Sequence, residues 1–209
     1  MKKILYSVAL AACCMGTMTS CSDFLDASNK SNVTDKQTFA TKEGLNNLVN
    51  DAYQHLQNVY AAPLFTSCFS AGTDMYADAR NKMNEALNTY ETLTPENTDI
   101  KNLYTYLYSG IRAANSVSYY AQTAQVDDKT KGQLIGEARV LAAYEYYLLV
   151  NNFGGVPIMK DFLTTADTGY PKSSPEDVYA YIISELEDVI SKNVLQASTA
   201  TKGGGRISQ

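Results

Sequence analysis

From Thr41 onward the apolar residues Leu45, Leu48, Val49, Ala52, Leu56 and Val59 recur three and four positions apart, which places them on one face of a helix. Pro63 closes that element, because proline has no amide to donate and its ring blocks the preceding turn. A second helix is predicted from near Thr98, with Ile100, Leu103, Tyr104, Leu107, Tyr108, Ile111 and Ala114 on one side. Leu134, Ile135, Ala138, Leu141, Ala142, Leu148 and Leu149 predict a third, from about Asp128 to Val150, long enough to pack against the second as an antiparallel pair. Asn151-Asn152-Phe153-Gly154-Gly155-Val156-Pro157 reads as its end, since the glycines permit left-handed backbone and the proline forbids continuation. The fourth helix has an explicit start: Ser174 as N-cap, Pro175 at the first helical position and Asp177 where a capping box puts an acid. Val178, Ile182, Leu186, Val189 and Ile190 supply its apolar face.

No run of alternating apolar and polar residues predicts a strand, so the expected class is all-α, with amphipathic helices stacked as in a helical repeat. Between the first two helices, Leu64 to Pro95 has no sustained period and reads as loop with short helical pieces. Long irregular connections of this kind are uncommon in compact domains and tend to carry function. The last residues, Thr201 to Gln209, read as a loop leading toward a further element.

The opening residues follow a different pattern. Lys2 and Lys3 precede an apolar run from Ile4 to about Met15, and Met18-Thr19-Ser20-Cys21 follows. A basic start, a short apolar core and small residues before a cysteine make a secretory signal of the bacterial lipoprotein type, cut before the cysteine that receives lipid. Leu10-Ala11-Ala12-Cys13 is by itself the better lipoprotein box, but cutting there would leave only Ile4 to Ala9 as apolar core, short of the roughly 7–15 residues a signal carries. Cys21 is therefore the expected lipidation site. A run this short also falls below the roughly 20 apolar residues that span a bilayer. The expected organisation is residues 1–20 as signal peptide, 21–40 as a lipid-anchored tether and extended segment, and 41–209 as a helical domain.

Composition narrows the function classes. The 209-residue chain has a net charge of -5, which argues against nucleic acid or anionic lipid as ligand, because both demand clustered Lys and Arg. Of the four cysteines, Cys13 and Cys14 would leave with the signal and Cys21 would be acylated. Cys68 would then be the remaining thiol, and no intrachain disulfide framework is expected. Sixteen tyrosines, six phenylalanines and no tryptophan form an unusual aromatic profile, with eight of the tyrosines at Tyr104, Tyr106, Tyr108, Tyr119, Tyr120, Tyr144, Tyr146 and Tyr147. Tyrosine at helical spacing packs its ring and leaves its hydroxyl at the rim; an exposed set would stack on the apolar faces of sugars or peptides.

Four stretches together resemble the SusD/RagB family of nutrient-binding outer-membrane lipoproteins of Bacteroidetes. Cys21-Ser22-Asp23-Phe24-Leu25-Asp26 is similar to the family's acidic start after the lipid-bearing cysteine. Tyr104 to Asn115 resembles its aromatic-x-x-L-Y-x-G-I-x-x-A-N helix, with Tyr104 where tryptophan is usual. Gly136 to Val150 with Phe153-Gly154-Gly155-Val156-Pro157 resembles its E-A-R-F-L-R-A helix and the turn that follows. Pro171 to Ile190 with Gly205-Arg206-Ile207-Ser208 resembles its S/T-x-x-E-V-Y helix and G-R-x-T/S segment. Members are usually more than twice as long, so the resemblance implies a helical domain incomplete at its C-terminus. It further implies tetratricopeptide-like helical hairpins with irregular loops, no catalysis and no cofactor. The implied place is the outer membrane, lipid-anchored and facing the exterior, where the protein captures oligosaccharide, or in some members peptide, for a SusC-like TonB-dependent transporter.

The expected ligand contacts are Asp74, Tyr76, Asp78, Arg80 and Asn81, in the irregular segment that the resemblance places near the family's ligand platform. Carboxylate, amide and guanidinium suit paired sugar hydroxyls, and tyrosine stacks. A solvated loop with local turn bonds would carry the same residues. Read instead as a glycosidase pair, Asp74 and Asp78 would need a separation of about 5–9.5 Å. Neither a calcium loop nor a phosphate loop is spelled by Asp74-Met75-Tyr76-Ala77-Asp78 or by Gly203-Gly204-Gly205. His55 is the single histidine, which leaves no basis for a zinc site or a Ser-His-Asp arrangement. Cys68 reads as a structural thiol and Arg139 as an ion-pair partner within the helical repeat.

Overall fold

Each long helix starts where a side chain can accept the free amides of its first turn. Thr41 Oγ1 accepts from Gly44 N–H at 3.0 Å, and Asn97 accepts from the amides of Asp99 and Ile100. Asp127 accepts from Thr130 N–H at 2.9 Å, and these hydrogen bonds hold its carboxyl below the usual range. At Ser174 the hydroxyl accepts from Asp177 N–H and donates to the Asp177 carboxylate at 2.7 Å, with Pro175 opening the helix. The computed structural model describes residues 35–61, 63–76, 85–165, 169–196 and 205–208. Its helices in chain order are α1 (Asp35–Phe39), α2 (Lys42–Tyr60), α3 (Leu64–Phe69), α4 (Glu85–Thr89), α5 (Thr98–Ala121), α6 (Asp128–Phe153) and α7 (Pro175–Lys192). Among the described residues there is no strand, only an isolated bridge between Thr73 and Tyr76. None of these helices is long and apolar enough to cross a membrane.

Residue pairings fix the topology. The ring of Phe39, just before α2, meets that of Tyr120 near the end of α5, and Gln125 N–H donates to Ala40 C=O at 3.0 Å, so α2 and α5 are antiparallel. Tyr104, early in α5, meets Phe153 at the end of α6, which makes that pair antiparallel as well. Contacts of Arg139 with Glu185 and Asp188, and of Tyr146 with Tyr181, run α7 back along α6. Tyr60 meets Tyr144, and Arg206 binds Asn46 and Glu137 together, so α2 and α6 lie parallel. Two successive hairpins, α2–α5 and α6–α7, with their first helices side by side, are the tetratricopeptide-like packing that the family resemblance implied.

The core fills the space between these four helices with Leu45, Val49, Leu107, Ile111, Val117, Leu141, Leu149 and Val178. Burying each large aliphatic side chain contributes about 1.5–3 kcal/mol relative to exposure. α6 carries buried residues on most of its circumference, as expected of a helix packed against three others. Where α5 crosses it, Gly110 faces the Glu145 carboxyl so closely that a Cβ would overlap it.

Three boundaries differ from the sequence reading, each for a local reason. Residues 35–39 form helix α1, where an extended tether to residue 40 was expected; Phe39 docks on Tyr120 and gives this polar stretch an anchor. α5 runs on to Ala121, continuing its buried face through Val117 and Tyr120. α6 continues through Asn151 and Asn152, whose side-chain amides donate back to the carbonyls of Tyr147 and Leu148, and it stops at Gly154, where φ is 70°. The signal peptide, Cys21 and the rest of the tether to residue 34 lie outside the described residues.

Candidate functional site

The residues that made α5 and α6 recognisable pin the backbone that follows α6. Tyr108 donates its hydroxyl to Pro157 C=O at 2.7 Å, and Asn115 donates its amide to Met159 C=O at 2.8 Å. Buried Tyr146 accepts from Met159 N–H at 2.7 Å through its hydroxyl. Burial drives the phenols of Tyr108 and Tyr146 above their ordinary range, so both remain neutral. Held at these points, residues 157–165 run beside α5 and leave a groove of about 630 Å³ between segment and helix.

One wall of the groove is the α5 face bearing Tyr104, Tyr108, Arg112 and Asn115, and the other carries Met159, Asp161 and Thr164. Arg112 lies over the ring of Phe162 at 5.0 Å and is shared with a second cleft of about 410 Å³, lined also by Asp35, Asp51, His55, Ser116 and Tyr120. His55 Nε2 stands 3.8 Å from Asp51, while its Nδ1 is buried without a hydrogen-bond partner. Aromatic faces beside a guanidinium, an amide, carboxylates and hydroxyls are the chemistry of a site for a neutral polyhydroxylated ligand. Sequence reasoning missed the groove because its far wall is a loop, placed by hydrogen bonds across 44 and 49 residues. A signal was present in Tyr104, Tyr108 and Arg112, spaced four apart beside the apolar Leu103, Leu107 and Ile111.

Of the five ligand contacts expected from sequence, the structure places two. Asp74 and Tyr76 are exposed on the turn after α3, where Tyr76 N–H donates to Thr73 C=O at 3.4 Å and Tyr90 donates to Gly72 C=O at 3.5 Å. Asp78, Arg80 and Asn81 lie outside the described residues, so the Asp74–Asp78 pair has no separation here. Asp74 and Tyr76 do not line the groove over α5.

The remaining chemical candidates take structural roles. Cys68 is half-buried and its thiol is pushed up to about 12, chiefly by burial and further by Asp99, which removes thiolate character at neutral pH. Arg139 binds Glu185 at 2.6 Å and Asp188 beside it, tying α6 to α7 as the sequence implied. Among the described residues no group of three or more His, Cys, Asp or Glu side chains stands ready to hold a metal ion.

Comparison with known proteins agrees with this architecture. A curated SusD-like protein of Formosa agariphila is 28% identical over 190 residues, covering 88% of this chain and 36% of the relative. Surface glycan-binding protein A from Bacteroides uniformis superposes with a TM-score of 0.67 at 26% identity, over 79% of this chain and 38% of that one. Surface glycan-binding protein A from Bacteroides thetaiotaomicron, solved in complex with laminarihexaose, shares the fold with a TM-score of 0.61 at 21% identity, over 80% and 36% of the two chains. This chain thus spans about a third of the length of the curated relatives it matches. Residues 23–200 match the model of a SusD-like family described as starch-binding and associating with the outer membrane, and the chain belongs to that family.

Proposed function

We propose that the protein is a lipid-anchored, surface-exposed outer-membrane protein that binds oligosaccharide and passes it to a partner TonB-dependent transporter, without catalysis. The observation that carries this reading is the match of residues 23–200 to a family described as starch-binding and associating with the outer membrane. The groove over α5 supports it chemically, because its aromatic and polar walls suit the alternating apolar faces and hydroxyl edges of sugar rings. In this reading residues 1–20 are the export signal, Cys21 bears the lipid, and Asp74, Tyr76, Asp78, Arg80 and Asn81 contribute a second set of sugar contacts from the loop after α3. Several acyl chains on one cysteine hold a protein on its membrane, since each buried methylene adds about 0.8 kcal/mol.

Electrophoresis of the chain through gels containing soluble starch or laminarin tests the binding claim. Retardation without release of reducing sugar is expected; unretarded migration in both gels, or sugar release, overturns it. Labelling of cells with a palmitate analogue tests the anchor. The label should be lost in Cys21→Ala and kept in Cys13→Ala, and the reverse result would move the lipid to Cys13.

A further inference from the structure

Four of the exposed aromatic rings, Tyr60, Phe65, Tyr144 and Tyr147, are joined to one another across three helices. Tyr144 and Tyr147, one turn apart on α6, are 38% and 47% exposed, with ring centroids 6.2 Å apart and planes only 19° from parallel. The Tyr144 hydroxyl meets the hydroxyl of Tyr60 at the end of α2. Tyr60 lies 5.4 Å from Phe65 on α3, and Phe65 stacks on Phe69 at 5.3 Å. α3 then leads directly into the turn that carries Asp74 and Tyr76. Tyr146, between the first pair in sequence, is fully buried, so the same helix sends one ring into the core and holds two neighbours in water.

A chain without tryptophan must do any stacking with Tyr or Phe. Near-parallel phenol rings on a rigid helix present flat apolar faces with hydroxyls at the rim, and they lose little conformational freedom when a ligand lies on them. Burial and the neighbouring Tyr144 push the Tyr60 phenol up to about 12, so at neutral pH it keeps its proton. An uncharged apolar surface edged by hydroxyls complements a sugar ring, whose C–H face is apolar and whose hydroxyls point outward. We infer that Tyr147, Tyr144, Tyr60 and Phe65 form a stacking platform for a neutral oligosaccharide, separate from the groove over α5. The inference rests on the glycan-binding reading above and assigns it a second surface.

The test measures binding of laminarihexaose and maltohexaose to the full chain by calorimetry, for the unaltered protein, Tyr144→Ala/Tyr147→Ala, Tyr144→Phe/Tyr147→Phe and Arg112→Ala, with circular dichroism confirming helix content. Losing two stacking rings should weaken binding roughly tenfold. Keeping the rings as phenylalanine should cost roughly two- to threefold, because only the rim hydroxyls go. The tyrosine ultraviolet difference spectrum on adding sugar should shrink in the alanine variant, a readout without tryptophan background. Unchanged binding in the alanine variant, with loss in Arg112→Ala, overturns the platform and leaves the glycan reading standing. Absence of binding by the unaltered chain overturns both. Unchanged sugar binding in the alanine variant together with a dimer that becomes a monomer would assign the strip to contact between copies and overturn the inference.

Discussion

The two halves of α6 solve the same problem in opposite ways. Each half buries a glutamate completely: Glu137 in the first and Glu145 in the second, at 1% and 0% exposure. Glu137 is surrounded by partners. Arg206 Nε donates to its carboxylate at 2.7 Å and Gln133 at 3.2 Å, while Arg206 also reaches Asn46 at 2.8 Å and Ile207 N–H donates to Tyr53 at 2.8 Å. Glu145 has none: neither carboxylate oxygen finds a hydrogen bond, and Gly110 of α5 closes over it. Burial drives its carboxyl well above the usual range, so the residue is held neutral. A buried charge with a partner binds distant segments together, whereas a buried acid without one survives by keeping its proton.

Breaking the first arrangement should have the larger effect. Arg206→Ala leaves Glu137 buried without its cation and releases the Asn46 contact, and about 3 kcal/mol of unfolding free energy should be lost. Urea denaturation measures this, and a loss below 1 kcal/mol would mean that the clasp between residues 46, 137 and 206 contributes little.

Glu145→Gln sharpens the comparison from the other side. A carboxyl whose folded pKa is raised gives its full stability below the unfolded value of about 4.3, and that contribution declines as pH rises toward the folded value. The unaltered protein should therefore lose about 1.4 kcal/mol per pH unit across this window, a slope that the amide removes. At one unit above the ordinary carboxyl range the variant should be more stable by about that amount. Equal pH profiles for the two proteins would show that Glu145 is ionised when folded, contrary to its surroundings.

Arg139→Met is the mildest change. Arg139 joins Glu185 and Asp188 at a partly open edge of α6 and α7, and its hydrogen bonds hold the Asp188 carboxyl below the usual range. Solvent shares this network, so the expected loss is about 0.5–1 kcal/mol, shrinking as salt is added. Thermal melts at low and high ionic strength measure it. A loss as large as that of Arg206→Ala would erase the distinction between an enclosed and an open ion pair.

Legibility in the sequence followed the same division. Arg139 was readable as an ion-pair partner because it sits on a largely apolar helix, but its acids, Glu185 and Asp188, lie on another helix. Glu137 and Glu145 look alike in one dimension. Their difference comes from Arg206, which sequence places 69 residues beyond Glu137 and packing places at hydrogen-bond distance. The candidate site divides likewise: Asp74 and Tyr76 stood out by residue type, whereas the groove wall at Met159 and Asp161 needed Tyr108, Asn115 and Tyr146 to fold a loop against α5. The aromatic strip was invisible because its rings come from α2, α3 and α6, with 84 residues between Tyr60 and Tyr144.

By itself the sequence determined what depends on neighbours in the chain: the four long helices, their caps at Thr41, Asn97, Asp127 and Ser174, the stop at Gly154, and the family motifs. These follow from local backbone geometry and from the period that sends every third or fourth side chain to one face. Tertiary structure alone decided which acid is paired and which keeps its proton, which tyrosines are core and which face water, and where a ligand-sized groove opens. Those outcomes depend on distances between residues far apart in sequence, set by helix packing and by the long-range hydrogen bonds of Tyr108, Asn115 and Arg206.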